Sequence, residues 1–190
     1  MKYSEILKRN NDIAKSLPMK KFEIKVLSNI ITSQLNEILE YTLRVDSIPA
    51  NVKSGNYDNI VQDSIKCNHS NAVIIFWELC NIIDGLQFKI ELLNDDQFNK
   101  ILEKIKSEID LVLKNLKQTS LVLINKFTHL HFSSFNIRKN NFEELKDQLN
   151  EYLENKISTN VKLIDLGKII TNIGLEKSQD LRYYYSSKAL

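Results

Sequence analysis

The stretch NAVIIFW, residues 71–77, places six apolar side chains in a row after an asparagine. A strand with one solvated face alternates apolar and polar residues. An unbroken run of this length means burial on both faces, the situation of a central strand in a parallel sheet. Four further segments read as strands around it: FEIKVLSN (22–29), IPANVKSG (48–55), SLVLINKF (120–127) and VKLIDL (161–166). Helical patterns separate them. Residues 32–43 repeat Leu35, Ile38, Leu39 and Leu43 three or four apart, and residues 56–67 turn Ile60, Val61 and Ile65 inward. Residues 96–117 read as a long helix after a polar-apolar connector (78–96), and residues 142–156 as a charged amphipathic one. A first helix over residues 3–16, carrying Ile6, Leu7, Ile13 and Ala14, stops before Pro18. Strand and helix alternate with no hairpin signal between strands, which predicts an α/β doubly wound fold, a parallel sheet covered on both faces. The domain expected is residues 21–190, with 1–20 as a helical extension.

Composition bounds the function. The chain has 190 residues, 43% hydrophobic and 26% charged, with a formal net charge of +2 and both signs interspersed. That leaves no electrostatic footprint for nucleic acid. The longest apolar stretch, 72–77, is too short to span a bilayer, and residues 1–16 contain no long apolar core of a signal peptide. No membrane partner is expected, and cytoplasm is the default location. Cys67 and Cys80 have no metal-ligand spacing and read as reduced thiols. Four glycines build neither GxxxxGK[ST] nor GxGxxG, and GxSxG and HExxH are absent as well. Familiar nucleotide-binding, zinc and α/β-hydrolase sites are thereby excluded.

In a doubly wound sheet the ligand crevice lies beyond the carboxyl ends of the strands. The polar residues that follow the strands are Ser28 and Asn29, Ser54 and Gly55, Glu78 to Asn81, and Asn125 with Lys126. Glu78 fits a crevice acid and a solvated acid or helix-terminus partner equally well, and Trp77 reads as core. His69, His129 and His131 read as loop histidines rather than metal ligands, because no further ligands are identifiable. His131 is the candidate for a general base. The last residues, DLRYYYSSKAL (180–190), fit an amphipathic helix whose tyrosine tips reach water. They also fit a crevice in which Asp180 and Arg182 pair or grip an anion.

Four segments together resemble the amino-terminal domain of FkbH-like proteins of the HAD superfamily: KVLSNIITSQL, SGNYDNIVQDS, VIIFWEL and DLRYYYSSKAL. The most specific piece is D-x-R-x-[WY]-Y-x-x-K, met by Asp180, Arg182, Tyr184, Tyr185 and Lys188. The resemblance implies a three-layer αβα sandwich, flavodoxin- or SGNH-hydrolase-like, with five parallel strands in the order 2-1-3-4-5. It implies that the chain precedes a carboxy-terminal HAD-like domain, its principal partner, with an acyl carrier protein as the second. Magnesium is expected only in that second domain and no cofactor in this one, since LIDLGKI has Gly167 where the DxDx[TV] loop needs its second aspartate. Set against active SGNH hydrolases, Gly55 and Asp180 stand at family positions, Asn29 stands at the nucleophile position with Ser28 one residue before it, and Tyr183 replaces the histidine base. Tyrosine, with a reference pKa near 10, is a poor base at neutral pH. The resemblance therefore implies a degenerate, non-catalytic crevice formed by Asn29, Gly55, Glu78, Asn81, Asn125, Asp180, Arg182 and Tyr183. In it the domain supports phosphatase-like or carrier-loading work in secondary metabolite or surface-polysaccharide biosynthesis. The alternatives are an esterase or acyltransferase using Ser28, Asp180 and a base such as His131, and a protein-interaction module for a carrier protein.

Overall fold

A computed structural model describes residues 1–67, 69–129, 140–178 and 180. Five parallel strands form one sheet in the order β2-β1-β3-β4-β5: β1 (Phe22–Ser28), β2 (Ala50–Ser54), β3 (Ala72–Phe76), β4 (Leu121–Asn125) and β5 (Val161–Ile164). Helices lie on both sides, so the α/β class and strand order expected above are those observed. β3 sits in the middle, its register setting Ile74 beside Val26 and Leu123. Alternation along it fills two cores. Val73, Ile75 and Trp77 join the larger core, while Ala72 and Ile74 join a smaller one with Ile24, Val26 and Ala50.

The larger core is closed mainly by α6 (Asp95–Asn115) and α7 (Asn141–Glu154). Asn94 caps α6 in a reciprocal box, its side chain accepting from the Gln97 N–H at 3.0 Å while Gln97 accepts from the Asn94 N–H at 3.1 Å. The helix buries Leu102, Ile105, Ile109 and Val112, a 3.6-residue stripe. Asn140 caps α7, which buries Phe142, Leu145, Leu149 and Leu153.

The smaller core is covered by α2 (Ser33–Val45), against which α1 (Tyr3–Ala14) packs. A buried network joins these two helices. Arg44 donates to Asn10 Oδ1 at 2.9 Å and to Ala50 O at 3.0 Å, and pairs with Glu40 at 2.8 Å. Asn10 in turn donates to Glu40 Oε2 at 2.9 Å. The 3–16 segment is thus tied to the sheet-covering layer through charge-assisted hydrogen bonds.

Four local readings need correction. The apolar residues of α2 do not share one stripe: Leu39 and Leu43 pack on the sheet, whereas Leu35 and Ile38 are exposed. The helix expected over 56–67 is only α3, Ile60–Ser64. The Asp63 carboxylate accepts from the Asn56 N–H at 2.6 Å and folds 56–59 into a turn, with Asp58 at φ 54°. The connector 78–94 contains α4 (Leu79–Ile82), α5 (Leu86–Lys89) and a 3-10 turn (Ile90–Leu92). It reverses at Gly85, whose φ of 69° is the left-handed region that glycine enters without strain. Finally, β5 stops at Ile164 because Asp165 caps α8 (Leu166–Ile173), accepting from the Lys168 N–H at 3.0 Å. A last turn, α9 (Leu175–Ser178), follows. No helix among the described residues is long and apolar enough to cross a membrane.

Candidate functional site

At the carboxyl edge of the sheet, asparagine side chains take the place of backbone. Parallel pairing of β3 ends at Phe76, yet the chain runs on in contact with both neighbours. On one side the Asn125 amide accepts from the Trp77 N–H at 2.6 Å and donates to the Trp77 carbonyl at 3.1 Å. On the other, the Asn29 amide accepts from the Glu78 N–H at 2.7 Å and donates to the Glu78 carbonyl at 2.9 Å. A side-chain carboxamide has the same donor and acceptor as a peptide group, so each amide extends the ladder by one rung. Both side chains are almost wholly buried. The pattern recurs one strand further on, where Asn150 of α7 makes the same two bonds to Phe127, at 2.8 and 2.9 Å.

The sequence-predicted residues therefore separate by position. Asn29, Glu78 and Asn81 are brought together, Asn81 donating to the Asn29 carbonyl at 3.0 Å. Asn125 lies across β3 from Asn29, on the Trp77 side. Ser28 and Gly55 line a separate cavity of about 350 Å³ between the ends of β1 and β2, together with Thr32, Asn36 and Tyr57. Asp180 is exposed. Arg182, Tyr183, Tyr184, Tyr185, Lys188 and His131 lie outside the described residues. Asn150 was not singled out from sequence. Its only signal is an amide within the apolar-periodic helix, which is weak.

Ser28 is held back from the chemistry its neighbours could suggest. Its Oγ is buried and donates to the Ile30 carbonyl at 2.8 Å, with Thr32 Oγ1 at 3.4 Å. A nucleophilic hydroxyl needs that proton directed at a base. His69 lies in the loop entering β3, at the amino edge of the sheet. His129 follows β4, two strands from β1, an offset of about 10 Å at ordinary strand spacing. It lines a different cleft, of about 560 Å³, beyond β4 and β5. Burial pushes the His129 imidazole below its usual pKa, with Lys146 adding to the effect. The lysines of this cleft are neutralised locally: Lys126 by Glu154 at 2.7 Å, Lys146 by Asp147 at 2.6 Å and Lys168 by Asp165 at 3.6 Å.

Glu78 is the buried acid of the edge. Its carboxylate accepts from the Cys80 N–H at a long 3.5 Å, with further weak support from the Cys80 thiol and the Leu79 N–H. Burial dominates and raises its pKa to about 7. Among the described residues no group of three or more His, Cys, Asp or Glu side chains is placed to hold a metal.

Gly55 is required by close approach. A Cβ there would come within 2.8 Å of Leu27 Cδ2 and 2.9 Å of Asp63 Oδ2, both on buried side chains. Gly55→Ala is expected to destabilise the domain by about 1–3 kcal/mol through overpacking, read as a lower urea midpoint at unchanged slope. A midpoint equal to that of the wild type would show that Leu27 and Asp63 move aside freely.

No protein-family model and no curated protein matches the sequence. Among solved structures, the N-terminal part of the protein BF1531 from Bacteroides fragilis, described as containing a phosphatase domain and complexed with Mg, is similar over the whole of this chain. The TM-score is 0.74 at 16% sequence identity, a likeness of fold. The present chain covers 52% of that structure, about half its length.

Proposed function

We propose that this chain is a non-catalytic α/β domain that supports a phosphatase-type domain of the same polypeptide, in the manner of FkbH-like proteins. The observation that carries the reading is the use made of the crevice residues. Asn29 and Asn125 spend both their donor and acceptor capacity on backbone, and the Ser28 hydroxyl donates to a carbonyl instead of a base. A site whose polar groups are satisfied internally offers a substrate little, and offers a developing oxyanion less. The similar solved structure supports the context: its description includes a phosphatase domain, and about half of its chain lies beyond the likeness. In this reading magnesium and phosphoryl chemistry belong to the partner domain, and the present domain positions that domain or a carrier-bound substrate. Asp180, Arg182, Tyr183 and the tyrosines after it are then interdomain contacts.

The test is ester turnover. With p-nitrophenyl acetate and butyrate the chain should hydrolyse at the background rate, and Ser28→Ala should leave that rate unchanged. Turnover well above background that falls about 100-fold or more in Ser28→Ala, the order expected for loss of a nucleophile, would overturn the proposal in favour of an esterase.

A further inference from the structure

The crevice amides are satisfied by backbone, but a smaller cavity beside them is lined by groups that are not. It measures about 180 Å³, with Asp58, Gln62, Trp77 and Glu108 lining it over Ile60 and Ile82. Its place in the fold is that of a ligand site. The Asp58 N–H donates to the Ser28 carbonyl at the end of β1, at 3.0 Å, and Trp77 follows the end of β3. From β1 the chain passes to β2 on one side, while β3, β4 and β5 lie on the other, so β1 and β3 flank the topological switch point.

Two carboxylates converge on the cavity from separate elements, Asp58 from the turn before α3 and Glu108 from α6. The Asp58 side chain has no hydrogen bond or ion pair among the described residues. Glu108 has Lys104, 3.9 Å away on the same helix, with a side chain 59% exposed. A pair as open as that contributes little. Burial raises the pKa of both acids; at Glu108, Lys104 opposes the shift and the charge of Asp58 adds to it. The two acids repel each other, and Lys104 meets one of them. Trp77 gives an independent sign of a ligand. It is 4% exposed, and its indole N–H has no partner among the described residues. The sealed side-chain polar atoms without a bond are Asn36 Oδ1, Gln87 Oε1 and Thr119 Oγ1. Trp77 Nε1 is not one of them, so it opens on free space, and the space that Trp77 borders is this cavity. A buried indole N–H usually has a partner.

We infer that this cavity binds a small primary ammonium that also carries a hydroxyl, an amino alcohol of about two or three carbons. An ammonium brings three donors and no acceptor, so it answers both carboxylates and removes their repulsion. It leaves the indole N–H unanswered, and a hydroxyl oxygen on the same molecule accepts from it. Ile60 and Ile82 meet the carbons between. The volume sets the size, since 180 Å³ is the share of about six waters. A hard divalent cation is a poorer match. It takes six or more oxygens, and among the described residues no group of three His, Cys, Asp or Glu side chains is placed to supply them.

Trp77 is the only tryptophan of the chain, so its fluorescence reports the cavity directly. The 190-residue chain is titrated with ethanolamine hydrochloride near neutral pH, at ionic strength held constant with sodium chloride. The expected result is a saturable change, half complete at roughly 1–10 mM, the range of a ligand with so few atoms. Asp58→Asn and Glu108→Gln should each weaken binding by at least about tenfold. Asparagine tolerates the φ of 54° at position 58. Neither variant should lower the urea midpoint, because each removes a repulsion. Loss of binding together with a lower midpoint in both would mark the acids as structural and overturn the inference. 1-Butylamine, which is the lysine side chain without its backbone, should bind more weakly than ethanolamine. Tighter binding would assign the cavity to a lysine of a partner protein and overturn the inference. So would saturation by magnesium chloride in place of ethanolamine, equal binding of ethylene glycol, or no saturable change up to about 100 mM.

Discussion

Asn125→Ala is expected to lower the stability of the domain by about 2–4 kcal/mol, and Asn29→Ala by a similar amount. The size follows from what each truncation leaves behind. Without the Asn125 amide, the Trp77 N–H and carbonyl lose their partners at 2.6 and 3.1 Å, in a place where Trp77 itself is only 4% exposed. An orphaned buried donor costs about 1–3 kcal/mol, and here a donor and an acceptor are orphaned together. Truncating Asn29 does the same to Glu78. Asn125→Asp sharpens the test. It keeps the acceptor for Trp77 but turns the second atom into another acceptor, facing the Trp77 and Lys126 carbonyls that now receive its bonds. That variant should be at least as unstable as the alanine at neutral pH and partly recover in acid, when the carboxyl is protonated. Trp77, the only tryptophan of the chain, reports the urea transition at the site of the change. A loss below about 0.5 kcal/mol for Asn125→Ala would mean that water takes over both bonds, and that the amide is free for another role.

These amides also mark where a sequence stops being legible. The central strand is legible in the unbroken apolar run NAVIIFW, a signal that survives folding because burial on both faces is what selects it, whereas the order of the strands follows from the family resemblance and not from any run. The long helices α6 and α7 are legible because each is long enough to repeat an apolar period over several turns. The one-turn helices α4 and α5 are not, since four residues hold no period. For α2 the period reads as helical, but two apolar stripes about a quarter-turn or more apart look like one broad stripe until the sheet claims Leu39 and Leu43. Asn29 and Asn125 stand in the sequence where crevice residues stand. Whether such an amide points into the crevice or folds back onto the neighbouring strand is a matter of rotamer, and rotamers follow from packing that no spacing encodes. Asn150 illustrates the limit: it makes the same pair of bonds from the side of a helix, where position carries no hint.

Glu78 gives the second large effect, and it has a sign. The residue is 4% exposed, and burial lifts the pKa of its carboxyl from 4.5 to about 7. As pH rises above 4.5 the unfolded chain gives up this proton first, while the folded chain keeps it until about pH 7. The unfolded state therefore binds fewer protons in this window, and stability falls with rising pH. The loss begins near pH 4.5, is complete just above pH 7, and amounts to about 3 kcal/mol from the difference in pKa. Asp63 works in the opposite direction at lower pH. Its carboxyl is held below the usual range by the Asn56 N–H, Lys66 and Asn59 against the cost of burial, so its contribution is present above the unfolded pKa and lost in acid. The two are separated by comparing stability–pH curves of the wild type and Glu78→Gln. Glutamine has the shape of the neutral acid, so the curves should nearly coincide at pH 4 and diverge to about 3 kcal/mol by pH 8, with the variant more stable. Parallel curves would show that the ionised carboxylate finds solvation at the carboxyl edge, through bonds stronger than the 3.5 Å contact to Cys80. Divergence would show that the ionised Glu78 carboxylate is buried without compensating bonds at the carboxyl edge.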